Sequence, residues 1–335
     1  MYKEEVNLLG ATITKNVGGD TLAKTNNKRK NRKKTLMLLT MVAPTALWLI
    51  LLRYIPMAGI VIAFKKYKVY TPKPSLVNNI INSKWVGLGN FKFLFTSSDT
   101  LLVLRNTVGY NLLWIALGVV ISVSFAIMIN EITSKFVAKT YQTMMFFPFF
   151  LSWVVVSYFV MALLDPTSGL IVKAQMARGI TPTEWYHDYK PWPVILTICN
   201  LWKNMGYQTI LYLAAITGID KSQYEAAAID GASKWQQIWY VTIPNLRNMV
   251  IILLIMDIGK IFNSDFGLFY SVPQNSGTIF RTTQVLDTYV YRALMNSQNI
   301  GMSTAASLFQ NAVGFVLIMI TNTMIRKIDP DSALF

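Results

Sequence analysis

Apolar residues recur in long runs along nearly the whole chain, and polar stretches separate them. Runs long enough to cross a bilayer, about twenty residues in a helix, occupy roughly 36–64, 101–129, 143–164, 193–217, 246–262 and 301–323. The pattern predicts an all-α integral membrane protein with six transmembrane helices. Pro44 and Pro56 fall inside the first run, which is long enough to cross with tilt or kinks. Small residues Ala305, Ala306, Ser307, Ala312 and Gly314 in the last run permit close helix packing. Residues 65–100 and 165–192 read as ordered loops on the outer side, the second holding an aromatic patch, Trp185 to Tyr189. The implied organisation is a basic tail over 1–35, a six-span domain over 36–327 and a short tail over 328–335.

The longest polar interruption in the second half is 219–248, IDKSQYEAAAIDGASKWQQIWYVTIPNLRN. Ser222 and Glu225 have capping-box spacing, as do Ser233 and Gln236, so two short helices are expected around a turn at Asp230-Gly231. Ala226, Ala227 and Ala228 keep the first helix slim enough for another surface to approach it. Gly231 tolerates the positive φ that such a turn demands. Trp235, Ile238 and Trp239, at i, i+3 and i+4, give the second helix an aromatic face suited to a membrane boundary. Pro244 fits the first turn of the apolar helix that follows.

Composition agrees with a membrane protein: 53% of residues are hydrophobic and 14% charged. The net charge of +15 does not point to nucleic acid, because the basic residues sit at the N-terminus and at the ends of apolar runs. By the positive-inside rule, the block 28–34 (KRKNRKK) holds the N-terminus in the cytoplasm, and Arg326 with Lys327 places the C-terminus there. The run after the basic block is too long for a cleavable signal and lacks a small-residue cleavage pattern. It reads as an uncleaved anchor in contact with anionic lipid. One cysteine, Cys199, and one histidine, His187, leave no disulfide framework and no Cys/His metal site. No Gly-rich phosphate loop of the P-loop kind is present, so no ATP-hydrolysing site is expected in this chain, and no hydrolase triad can be assembled.

Polar groups inside the apolar runs mark candidate path residues, since charge at bilayer depth is costly. The fourth run carries Asn200, Trp202, Lys203, Asn204 and Gln208, and Lys203 is expected to face water or a protein partner. Asp257 and Lys260 in the fifth run, followed by Asn263, either pair with each other or line a route, with pairing slightly favoured. Phe146, Phe147, Phe149 and Phe150 around Pro148 either line the same route or pack among themselves.

Glu225-Ala226-Ala227, three residues, Gly231, nine residues and Val241-Thr242-Ile243-Pro244 resemble the EAA loop of permease subunits of binding-protein-dependent ABC importers. Val241 and Ile243 stand where that pattern has Ile and Leu. The stretch 259–295 is similar to the sugar-type, LplB-like oligosaccharide and polysaccharide permeases, through Phe262-Asn263-Ser264-Asp265-Phe266-Gly267 and Asp287-Thr288-Tyr289-Val290-Tyr291-Arg292. Gly87-Leu88-Gly89-Asn90-Phe91 adds a weaker match. The resemblance implies the type I importer fold, with a cytoplasmic coupling helix formed by Glu225, Ala226, Ala227, Asp230 and Gly231 and linked to the spans through Pro244. It implies a multi-pass subunit of a bacterial cell membrane, not an enzyme and without cofactor of its own. The implied partners are a second homologous permease, two ATPase subunits that bind ATP and Mg, an extracellular solute-binding protein and a glycan substrate. An ion-coupled secondary transporter or channel, with Asp257 and Lys260 as its relay, is the alternative. A membrane-bound glycan-processing enzyme is a third reading.

Overall fold

The computed structural model describes residues 34–69, 75–96, 98–297, 299–330 and 333–334. Residues 1–33 of the tail expected over 1–35, with most of its basic block, lie outside them. The described chain is almost wholly helical and divides into two units, one through Val61 and one from Ile62 to Phe335.

Most of the first apolar helix, α1 (Lys34–Phe64), belongs to the first unit. A π turn at Ile50–Tyr54 precedes Pro56, which opens Ile55–Met57. Proline lacks an N–H, and its ring crowds the carbonyl four residues back. Widening the preceding turn by one residue relieves that clash without breaking the helix.

In the second unit a two-stranded antiparallel ribbon, β1 (Lys65–Lys66) with β2 (Lys84–Trp85), opens the outer loop. Asn90 of the GLGNF stretch donates to the Ala63 and Lys65 carbonyls at 2.8 and 2.9 Å, so this motif acts as a staple for the loop. Lys65, one of several lysines on the supposed outer side, donates to the Ile80 and Ile81 carbonyls at 2.6 and 3.2 Å. Its charge is thus occupied in shaping the loop. Among the described residues, the further helices of nine residues or more are α2 (Ser98–Asn130), α3 (Lys135–Phe146), α4 (Trp153–Leu164), α5 (Trp192–Thr217), α6 (Lys221–Ile229), α7 (Lys234–Ile258), α8 (Leu286–Ser297) and α9 (Ile300–Ile328).

Helices lie where all six runs were expected, with four differences. Among the described residues α1, α2, α7 and α9 are able to cross a membrane by length and composition, whereas α5, over the fourth of the six expected runs, is not apolar enough to stand with them. The third run is bent: Lys135–Phe150 and α4 meet at 97°, and only together do they qualify as a span. Leu151 and Ser152 are extended at the break, and the Ser152 hydroxyl caps α4 by accepting from the Val155 N–H. Lys135 and Lys139, in the polar stretch between the second and third apolar runs, lie inside α3 rather than in a loop. The expected helix–turn–helix also changes. Its second helix does not end before Pro244 but runs on as α7, through a π turn at Ile238–Thr242 that repeats the solution used before Pro56.

A region without long helices, between Gly259 and Val285, lies among these elements, and its buried backbone groups need hydrogen-bond partners from outside it. Helix α2 supplies most of them. Asn106 donates to the Arg281 and Gln284 carbonyls, Tyr110 to Thr282 and Asn111 to Ile261 and Asn263, all between 2.8 and 3.1 Å. From α9, Gln310 donates to the Phe262 carbonyl at 2.8 Å. An aromatic core formed by Tyr110, Trp114, Trp192 and Phe269 packs beneath the same region. The patch Trp185, Tyr186 and Tyr189 packs against that core, and Trp192 donates to the Trp185 carbonyl at 2.7 Å.

Glycines set the closest helix crossings. A Cβ on Gly206 of α5 would stand 1.9 Å from the Met145 carbonyl oxygen of α3, and one on Gly314 of α9 would stand 2.2 Å from the Gly259 carbonyl oxygen. Two helices can approach this closely only where one of them has no side chain.

Candidate functional site: a polar cavity and an exposed helical turn

Two features stand out, and α7 reaches both. The first is the turn around α6. Asp220 caps it by accepting from the Ser222 N–H at 3.0 Å, so the helix starts one residue before the Ser222–Glu225 capping box expected for it. Asp outcompetes Ser here because its carboxylate makes a charge-assisted bond at the positive helix end. That N–H, and secondarily the Ser222 hydroxyl, hold the Asp220 carboxyl below its usual range. A depressed carboxylate contributes above its unfolded pKa and is lost only as pH falls through the folded one, so the cap outlasts ordinary acidification.

The end of α6 is a Schellman motif. Ala232 N–H reaches back to the Ala227 carbonyl at 2.9 Å and Gly231 N–H to Ala228 at 3.1 Å, with Gly231 at φ +81°. Ser233 and Gln236 then form the expected reciprocal capping box. Glu225, Ala226 and Asp230 are exposed, as is Ile229, whose side chain is 86% accessible. Sequence reasoning missed Ile229, a large apolar residue left bare at the helix tip. Trp235, Trp239 and Tyr240 extend the exposed apolar surface along α7.

The second feature is a cavity of about 350 Å³ between α2, α5 and the end of α7. Asn200, Asn204 and Gln208 of α5, at i, i+4 and i+8, form one polar line down its wall. Gln208 is held by the Ser122 hydroxyl, which donates to its Oε1 at 3.2 Å, and it lies against Gly118, where a Cβ would stand 2.9 Å from that oxygen. Asn111 and Trp114 face it from α2, and Asp257, Lys260, Asn263, Ser264 and Asp265 close the far side. No ion pair within 4.0 Å joins Asp257 to Lys260, and both side chains line the cavity. Their i, i+3 spacing carries both side chains toward the same polar space.

Lys203 and Trp202, expected on the path, are not in this wall. Lys203 is 8% exposed; its Nζ donates to the Phe149 carbonyl at 2.7 Å and lies 5.4 and 5.3 Å from the Phe149 and Trp153 ring centres. The ammonium therefore braces the break in the third run, and Trp153 in turn donates to Asp265. Phe146, Phe149 and Phe150 pack on one another, and Tyr207 stacks on Phe149 at 4.9 Å. Of the two readings of the phenylalanine cluster, packing describes these three rings. Asn111, Trp114 and Asp265 were missed; a sidechain amide inside an apolar run was the available signal for the first.

Lys203→Met is expected to leave the Phe149 carbonyl without a donor and to lower the stability of the purified protein by about 1–3 kcal/mol, read as thermal unfolding in detergent. Asn200→Ala is expected to leave unfolding unchanged, because that side chain faces the cavity.

Residues 118–332 match the family model described as binding-protein-dependent transport system inner membrane component. Among curated proteins, the chain is 33% identical over 313 residues to the polygalacturonan/rhamnogalacturonan transport system permease protein YteP of Bacillus subtilis, covering 90% of this chain and 93% of that one. It is 30% identical to protein LplB of the same organism, covering 89% and 91%. Among solved structures, a bacterial ABC transporter involved in import of the acidic polysaccharide alginate superposes with a TM-score of 0.78 at 30% identity, covering 90% of this chain and 98% of that one. The same kind of transporter in complex with an alginate pentasaccharide-bound periplasmic protein gives 0.77, also at 30% identity, covering 89% and 97%.

These features define a multi-pass membrane translocation subunit rather than an enzyme. The chain belongs to the binding-protein-dependent transport system inner membrane component family.

Proposed function

We propose that the chain is the permease subunit of an ATP-driven ABC importer that carries oligosaccharides or other glycans delivered by an extracellular binding protein. The observation that carries this reading is the pairing of an exposed helical turn, α6 to Gly231, with a polar cavity reached by the same neighbouring helix. Amides such as Asn200, Asn204 and Asn263 both donate and accept, which suits sugar hydroxyls. The names of the glycan-transporting relatives support the same substrate class.

In this reading α6 is the coupling helix. Glu225 meets a groove on an ATPase subunit, Ala226 and Ala227 permit close approach, Ile229 inserts its apolar side chain, and Gly231 makes the turn. Two such ATPases bind ATP and Mg; a second homologous permease completes the path. ATP binding closes the ATPase pair, moves α6 and switches the cavity between inward and outward access. Arg326 and Lys327 lie in the last turn of α9, which supports a cytoplasmic C-terminus by the positive-inside rule.

Co-purification from native membranes tests this reading. It expects a second permease and an ATPase subunit to come with the tagged chain, and ATP hydrolysis that responds to the glycan-loaded binding protein. Recovery of the chain alone, transporting on an ion gradient without ATP, contradicts it.

A further inference from the structure

Helix α7 is one continuous element with the exposed turn near its start and the cavity at its end. Two hydrogen bonds tie α6 to it. The Tyr224 and Thr242 hydroxyls share a bond of 3.0 Å, and Asn245 Nδ2 donates to Gln223 Oε1 at 2.8 Å. The first is the stronger tie, because Thr242 is buried at 4% exposure while Gln223 and Asn245 are open to solvent. One turn further on, Leu246 is buried among Ala126 and Ile129 of α2 and Tyr212, Leu213 and Ile216 of α5. That contact gives α7 a fixed bearing. Beyond it the helix runs about 16 Å, at 1.5 Å per residue, before Asp257 enters the cavity.

The π turn at Ile238–Thr242 falls where the tie is made. Because its widened backbone accommodates Pro244, the segment between α6 and the bearing departs from the regular ladder of the rest of α7. A displacement of α6 would be dissipated there unless a side chain bridged the turn. The Tyr224–Thr242 bond does bridge it, joining the middle of α6 to the last residue of the π turn, next to the regular helix that begins at Ile243.

We infer that Tyr224 and Thr242 are positioning residues for transport: their hydroxyl pair latches the coupling helix to α7, so that movement of α6 reaches Asp257 and Lys260 across the Leu246 bearing. This inference rests on the importer reading above and assigns a role to two residues outside the cavity.

The test uses the assembled importer with its ATPase subunits, in a Cys199→Ser background that removes the one native cysteine of this chain. Asn263→Cys reports cavity access through its rate of labelling by a water-soluble maleimide, measured without nucleotide and after trapping with ATP, Mg and vanadate. With the latch intact, trapping is expected to change the labelling rate severalfold. Thr242→Val and Tyr224→Phe should each cut that change severalfold, the Gln223–Asn245 bond being left in place, while vanadate-trapped nucleotide is still retained. Thr242→Ser, which keeps the hydroxyl, should preserve it, and the double variant should be no worse than either single one. A full nucleotide-dependent change in Thr242→Val or Tyr224→Phe overturns the latch. So does its loss in Thr242→Ser together with Thr242→Val, which would mean that the methyl packing matters rather than the bond. Absence of any nucleotide-dependent change with both hydroxyls in place contradicts the importer reading itself, a different result.

Discussion

Gly231→Val is expected to abolish uptake while membrane insertion and abundance stay near those of the unaltered protein. Gly231 sits at φ +81°, and a Cβ there would meet nothing within 4 Å. Steric conflict with a neighbour is therefore not the reason glycine is required. The reason is the backbone: a left-handed conformation costs an ordinary residue about 1–2 kcal/mol, and a β-branched residue is among the least tolerant. Relief of that strain requires the Schellman closure of α6 to open, which releases Ala232 from the Ala227 carbonyl and turns the Glu225 face away from its present direction. Gly231→Asn discriminates this account from a loss of packing. Asparagine visits the left-handed region readily, so this variant should retain much of the uptake. Uptake assayed beside surface abundance checks both variants. Equal loss in the two would mean that a side chain of any kind obstructs a contact made at Gly231.

Gly206→Val is expected to act on folding instead. The added carbon would stand 1.9 Å from the Met145 carbonyl oxygen and 2.9 Å from the Phe146 nitrogen. Both are main-chain atoms of α3, so no side-chain rotation relieves the conflict and the two helices must move apart. Overpacking of this kind costs about 1–3 kcal/mol where side chains adjust, and more where backbone must shift. The separation also pulls at the Phe149 carbonyl held by Lys203 and at the stacking of Tyr207 on Phe149. Expected results are a sharply reduced yield of monodisperse protein and a lower unfolding temperature in what remains. Gly109→Ala provides the contrast, since that glycine lies in α2 with nothing within 4 Å of its added carbon. It should be neutral or mildly stabilising, because alanine exceeds glycine as a helix former by about 0.5–1 kcal/mol.

The exposed turn around α6 was the most legible part of the chain because its geometry is local. Gly231, the three alanines and the Ser233–Gln236 box all act within a few residues, and each is found as its spacing indicates. The Asp220 cap was overlooked although it too is local: Ser222 offered a plausible box, and Asp220 wins by starting the helix earlier. The π turn before Pro244 had no comparable signal, since proline at that position is compatible with either a new helix or a widened one.

The cavity was half legible. Asn200, Asn204, Gln208, Asp257, Lys260 and Asn263 announced themselves as polar groups in or just after apolar runs, and all six line it. Lys203 looked the same in sequence and has a different task, because the break at Leu151 leaves a carbonyl that needs a donor. That break is a tertiary event, and nothing in an apolar run around Pro148 specifies a 97° bend. Likewise Asn106 and Asn111 acquire their meaning only from the unwound stretch after Gly259, 150 or more residues away along the chain.

The central claim is that ATP, through α6, powers movement of a glycan through the cavity. Its most direct test is uptake of labelled oligosaccharide, acidic and neutral in parallel, into proteoliposomes holding the assembled importer, with ATP and the ATPase subunits on the coupling-helix side and the binding protein on the other. The account predicts uptake that requires both ATP and binding protein, persists when ionophores collapse ion gradients, and is lost in Gly231→Val. Uptake that follows an imposed ion gradient, and proceeds without ATP, would contradict it.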